Sequence, residues 1–125
     1  MKEQAVKYYR QGYNCSQCIL KAAEYAYGVA IPKQCYNMCR GINTGFGIGG
    51  TCSVLMAGVM VFGLFFDDAT VKRPRMKLLS AFKDLYPCLS CAELVKERKN
   101  GAKCEKIVWH IAGLVKQIID EERSC

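Results

Sequence analysis

Nine cysteines occur in 125 residues, and three of them fall where a helix should begin. Cys15 follows Asn14, Cys52 follows Thr51, and Cys91 follows Ser90. Asn, Thr and Ser favour the N-cap position because their side-chain oxygens accept from the unpaired N–H groups of a first helical turn. A cysteine just after such a cap faces those N–H donors and the positive end of the helix dipole. That setting favours the thiolate, the form of cysteine that attacks electrophiles and binds metals.

Two Cys-x-x-Cys pairs, Cys15/Cys18 and Cys88/Cys91, suggest a four-cysteine zinc site. Zinc ribbons place such pairs roughly 12–20 residues apart, whereas about seventy residues separate these two. The first pair also lies within an expected helix. A thioredoxin-type redox pair would need strands, and the sequence offers no alternating strand pattern.

The elements that must position these thiols read as helices throughout. Residues 2–11 form a short amphipathic segment with Ala5, Val6, Tyr8 and Tyr9 on its apolar face, closed by Gly12. Asn14 then caps a second helix, with Gln17 placed for a capping box. Cys15, Cys18, Ile19, Ala22, Ala23 and Ala26 recur on one face of it. A third short helix is expected over 32–40, setting Cys35 and Cys39 one turn apart, and a loop with five glycines covers 41–50. That loop allows unusual dihedrals and close backbone approach, but no Gly-Lys-Ser/Thr follows, so a phosphate loop is not expected.

Residues 48–66 carry no charge. Their four glycines and the Thr51-Cys52 cap point to a buried central helix over roughly 52–66, and a membrane span is not expected. An amphipathic helix is predicted over 75–85, stopped before Pro87. Ser90, with Glu93 three residues on, is predicted to cap another. The last helix is predicted over 102–122, with a stripe of Ile107, Val108, Ile111, Leu114, Val115 and Ile118. Cys104 belongs to that stripe and should point inward near the helix start. His110, the single histidine, reads as a surface or core-edge residue. The expected architecture is all-α, a compact bundle of five to seven helices around a central apolar helix, forming one domain over residues 1–125.

Half of the residues are apolar, enough for a conventional core without crosslinks. An odd cysteine count and the lack of an apolar leader after Met1 point to the cytoplasm, where thiols stay reduced or bind metal. The formal charge of +7 is spread over Lys and Arg that do not alternate with aromatics. A solvated basic face, an acidic partner protein or an anionic surface fits that pattern, and nucleic-acid binding has no motif behind it.

Gly12-Tyr13-Asn14-Cys15-Ser16-Gln17, the glycine-rich loop running into Cys52, Cys91-Ala92-Glu93-Leu94, and Cys104-x-x-Ile107-Val108 together resemble the C_GCAxxG_C_C family of redox-active proteins. The resemblance covers about residues 5–120. Its central signature, Cys-Gly-Ala-x-x-Gly, reads here Cys52-Ser53-Val54-Leu55-Met56-Ala57, so Ser, Val and Ala stand in place of Gly, Ala and Gly.

The resemblance implies a redox function on an all-helical domain, with Cys15, Cys52, Cys91 and Cys104 as the working cysteines. A similar domain carries an iron–sulfur cluster in split-Soret cytochromes. Covalent c-type haem is not expected, because no Cys-x-x-Cys-His is present.

Four cysteine thiolates are the usual complement of a 2Fe–2S or 4Fe–4S cluster. The expected cofactor is therefore an iron–sulfur cluster on these four residues. A metal-free thiol–disulfide protein and a structural zinc module are the alternatives. The expected partner is a redox protein of acidic character, and a homodimer is compatible with this reading. No substrate site is legible, so any enzymatic role is that of an oxidoreductase component. Cys18, Cys35, Cys39, Cys88 and Cys125 carry no comparable argument, although Cys88 could replace Cys91 or pair near it.

Overall fold

In the structure, a computed structural model, residues 1–43, 45–86, 89–90 and 102–124 are described. The predicted helix after Ser90, with Cys91 in it, lies outside the described residues, as do Cys88 and Cys125. The described helices are α1 (Lys2–Arg10), α2 (Cys15–Tyr27), α3 (Lys33–Met38), α4 (Ser53–Phe62), α5 (Lys72–Leu85) and α6 (Ala102–Arg123), with a π-helical turn over Gly45–Gly49. Among the described residues the only β-type pairing is one antiparallel bridge, Thr51 with Ser90. The all-α bundle expected from the periodicity is the fold.

Helix α4 is the centre. Ser53, Val54, Leu55, Ala57, Gly58, Val61 and Phe62 are all buried on the side turned toward the other helices, whereas Met56 and Val59 are half-buried and Met60 is exposed. The helix packs on α2, α5 and α6, while α1 closes the bundle against α2 and α6. The contact with α5 and α6 is close: a Cβ on Gly58 would stand 3.0 Å from Leu78 Cδ2 and 3.0 Å from Val115 Cγ2. Phe62, Phe82, Ile19, Leu55, Leu78, Ile107 and Ile111 fill the remaining core. No described helix is long and apolar enough to cross a membrane.

Three expectations shift. The central helix ends at Phe62 rather than near residue 66, because the chain tightens after Gly63 into i→i−3 turns from Leu64 to Val61 and from Phe65 to Phe62. Helix α5 begins at Lys72 rather than residue 75. Pro74 sits in its first turn, where the missing N–H would have no intrahelical partner in any case. The turn before it is built by Asp67, whose Oδ1 accepts from Ala69 N at 3.1 Å and Thr70 N at 2.9 Å. Finally, Pro32 occupies the N-cap of α3 rather than its first helical position.

Candidate functional site

Cys15 is the first residue of α2, and four contacts fix that helix start. Asn14 Oδ1 accepts from Gln17 N at 2.9 Å, and Gln17 Oε1 accepts from Asn14 N at 3.2 Å, completing the predicted capping box. Helix α3 then locks it from outside, with Asn14 Nδ2 donating to Cys39 O at 3.2 Å and Gln17 Nε2 to Tyr36 O at 3.0 Å. The half-buried Cys15 Sγ lies 3.0 Å from Ser53 Oγ, in the first turn of α4.

Cys52 departs from the expected geometry. It occupies the N-cap position of α4 itself, with φ −58° and ψ 123°. Thr51 does not cap the helix, because its extended backbone is committed to the bridge with Ser90. Cys52 N donates to Leu89 O at 2.8 Å, and Ser90 Oγ donates to Gly49 O at 2.8 Å. The segment Leu89–Ser90 is thus stitched along the strand-like entry to α4, and Cys52 is buried beneath it.

The glycine-rich loop makes this entry possible. Gly50 N donates to Gly45 O at 2.9 Å, closing the π-helical turn, and Gly45 has φ +58°. A Cβ at Gly45 would stand 2.4 Å from Gly50 N. The close backbone approach expected of this loop is therefore to its own chain.

Cys104 lies in the first turn of α6 and is half-buried. The Tyr9 hydroxyl, on α1, donates to its sulfur. Burial raises the Tyr9 phenol above its ordinary value, and the neighbouring Cys104, Cys15 and Cys18 sulfurs raise it further. Tyr9 therefore keeps its proton and can donate it to the Cys104 sulfur.

Cys18 behaves differently from its neighbours. It is fully buried, its thiol faces Tyr13 O at 3.6 Å, and burial together with the Cys15 charge pushes it up to about 12. It is a core thiol that stays protonated. Cys39 is also buried and raised, first by burial and then by Cys35 one turn away, with a hydrogen bond to Ser16 opposing the rise. His110 is half-buried at the core edge, its Nδ1 2.7 Å from the Tyr86 hydroxyl.

The structure thus brings Cys104 to the Tyr9 hydroxyl, with Cys15 near enough for its charge to act on the same phenol, and sets Cys15 against the residue that follows Cys52. It does not gather them onto a single point: among the described residues, no three His, Cys, Asp or Glu side chains could hold one metal ion. Sequence reasoning missed Tyr9 and Ser53. Tyr9 was legible only as part of an apolar face, yet a tyrosine on an inward stripe needs a partner for its hydroxyl, and that requirement was the available signal. Ser53 is 2% exposed, and it is one of the residues at which the chain departs from the Cys-Gly-Ala-x-x-Gly signature.

The family described as "Putative redox-active protein (C_GCAxxG_C_C)" matches residues 13–118. The chain belongs to the C_GCAxxG_C_C family. The matched span holds every cysteine discussed above except Cys125, and it omits α1 and with it Tyr9. In this member of the family, the donor to Cys104 therefore comes from outside the matched segment. Searches of curated proteins and of solved structures found no match.

Proposed function

We propose that this protein is a small electron carrier whose working atoms are the sulfurs of Cys15, Cys52, Cys91 and Cys104, and that these four hold an iron–sulfur cluster. The observation that carries the reading is that Cys15 and Cys104, from opposite ends of the chain, both lie near enough to Tyr9 for their charges to act on its phenol. The donor set fits such a group. Thiolate is the usual cluster ligand, and hydroxyls of Ser53 and Tyr9 stand at two of the sulfurs, where hydrogen bonds offset negative charge and tune potential. A bound cluster would supply one-electron uptake and release.

Zinc and a cluster place different demands on the four sulfurs. One tetrahedral ion with Zn–S bonds of about 2.3 Å needs its ligand sulfurs within about 4 Å of each other. No described trio meets that demand. In a 4Fe–4S cluster each thiolate binds a different iron, so the ligands spread more widely. The net charge of +7 supports an acidic redox partner.

A second reading has its own support. The Ser53 hydroxyl at Cys15 would equally support a reactive thiolate in a metal-free thiol–disulfide protein. Anaerobic purification with iron and acid-labile sulfide analysis separates the two. The cluster reading expects brown protein whose iron is lost in Cys15→Ser, Cys52→Ser, Cys91→Ser and Cys104→Ser and kept in Cys35→Ser. Colourless, iron-free protein after anaerobic reconstitution overturns it. A reversible disulfide between members of the four, found by mass spectrometry of that same material, selects the thiol reading.

A further inference from the structure

A second feature lies on the other side of α4, away from Cys15. Leu55, Met56 and Val59 of α4, Leu79 of α5 and Ile42 of the preceding turn line an open groove of about 430 Å³. Its walls are almost wholly apolar. Met60, on its lip, is 42% exposed, and Met76, next in sequence to the lip residue Arg75, is 55% exposed. Water-exposed apolar grooves of this kind are unfavourable unless something covers them. The size falls in the range of small-molecule sites, about 300–1,000 Å³. It is small for a stable protein interface, which needs about 1,000 Å² of buried area. Flexible methionines at the rim let such a groove adapt to its occupant.

One charge borders the groove. Arg75 stands at its lip, with the exposed Thr51 beside it. Its neighbours on α5 are already engaged: Arg73 reaches Glu122 at 3.1 Å, and Lys77 reaches Glu122 at 2.6 Å. Among the described residues no carboxylate pairs with Arg75. Guanidinium is the side chain best suited to a planar anion, which it grips through two parallel N–H bonds.

We infer that the groove between α4 and α5 binds a small amphiphilic monoanion, its apolar body against Leu55, Val59 and Leu79 and its anionic group on Arg75. Charge complementarity selects the occupant: a neutral lipid would leave Arg75 unused, and a polar anion would leave the walls exposed. Thr51 directly precedes Cys52, so the bound molecule would lie beside the entry to α4. The inference stands whether or not the cysteines bind a cluster.

The test uses the full-length protein, with 8-anilinonaphthalene-1-sulfonate as fluorescent probe and decanoate and 1-decanol as competitors. Saturable binding of one probe per chain is expected, displaced by decanoate at least about fivefold more tightly than by decanol, a factor typical of one exposed charge-assisted contact. Arg75→Gln should weaken decanoate about fivefold and leave decanol unchanged, whereas Lys72→Gln, removing equal charge elsewhere on α5, should change neither. Val59→Glu should abolish both, and Met60→Glu, on the exposed lip, provides the same check if Val59→Glu fails to fold by circular dichroism. The inference is overturned by non-saturable binding, by equal decanoate affinity in Arg75→Gln, by an equal loss in Lys72→Gln, or by unchanged binding in the folded glutamate variant.

Discussion

Gly45 holds the entry to α4 closed, and replacing it should be far more costly than replacing Gly47 two residues on. Both have positive φ, +58° and +75°, so alanine at either pays left-handed strain of roughly 1 kcal/mol. Only at Gly45 does the new Cβ meet backbone, at 2.4, 2.5 and 2.7 Å from Gly50 N, O and C. At Gly47 it meets nothing within 4 Å. The bond from Gly50 N to Gly45 O cannot survive that contact, a loss of about 1 kcal/mol, and displacing the backbone adds roughly 1 kcal/mol more. Gly45→Ala should therefore cost about 3 kcal/mol and Gly47→Ala about 1 kcal/mol.

With a urea slope of about 2 kcal/mol/M, the unfolding midpoints of these two variants should lie about 1 M apart. A second readout reports on the site. Gly50 leads directly into the Thr51–Ser90 bridge and the Cys52 N–Leu89 O bond, so the buried Cys52 should alkylate faster in Gly45→Ala than in Gly47→Ala. Coincident midpoints with equal protection of Cys52 would refute the reasoning.

Two further outcomes are expected. Cys18 titrates near 9.0 in the unfolded chain and at about 12 in the fold. Its contribution to stability is thus complete below about pH 9 and is lost as pH rises toward 12. Cys18→Ala should be less stable than wild type at about pH 8 but lose less stability on going to about pH 10.5, as read by urea unfolding; parallel losses in both proteins refute this. In metal-free reduced protein, Ser53→Ala should slow iodoacetamide alkylation of Cys15 by about tenfold at neutral pH. That is the effect of losing one hydrogen bond to a charged sulfur. Cys35 should be unaffected, and an unchanged rate at Cys15 sinks the claim that the Ser53 hydroxyl supports a thiolate.

Much of the helical framework was legible because helical signals are local. Asn14 and Gln17 are three residues apart and make their capping box as predicted. Gly28, with φ +64°, ends α2 in the left-handed conformation that glycine adopts most easily. The apolar stripe of α6 runs through Ile107, Val108, Ile111 and Val115, all at 1% exposure or less. Helix boundaries were less legible where a local rule had two outcomes. Helix α5 starts at Lys72, three residues ahead of the expected 75, because Pro74 is at home in a first turn. Thr51 had the side chain of a cap but was claimed by a bridge to Ser90, a partner that no local pattern reveals.

By itself, the sequence determined an all-helical chain, a central helix with no charge, and a set of cysteines placed near helix starts, since caps, periodicity and glycine depend on residues within a few positions. Only the tertiary structure decided which of those thiols have company. It paired Cys15 with Ser53 across two helices, brought Tyr9 from α1 to Cys104 on α6, and sank Cys18 into the core although it shares a helix face with Cys15. The reason is physical: a sulfur's ionisation and reactivity depend on burial and on hydroxyls a few ångström away, and in this fold those hydroxyls come from distant parts of the chain.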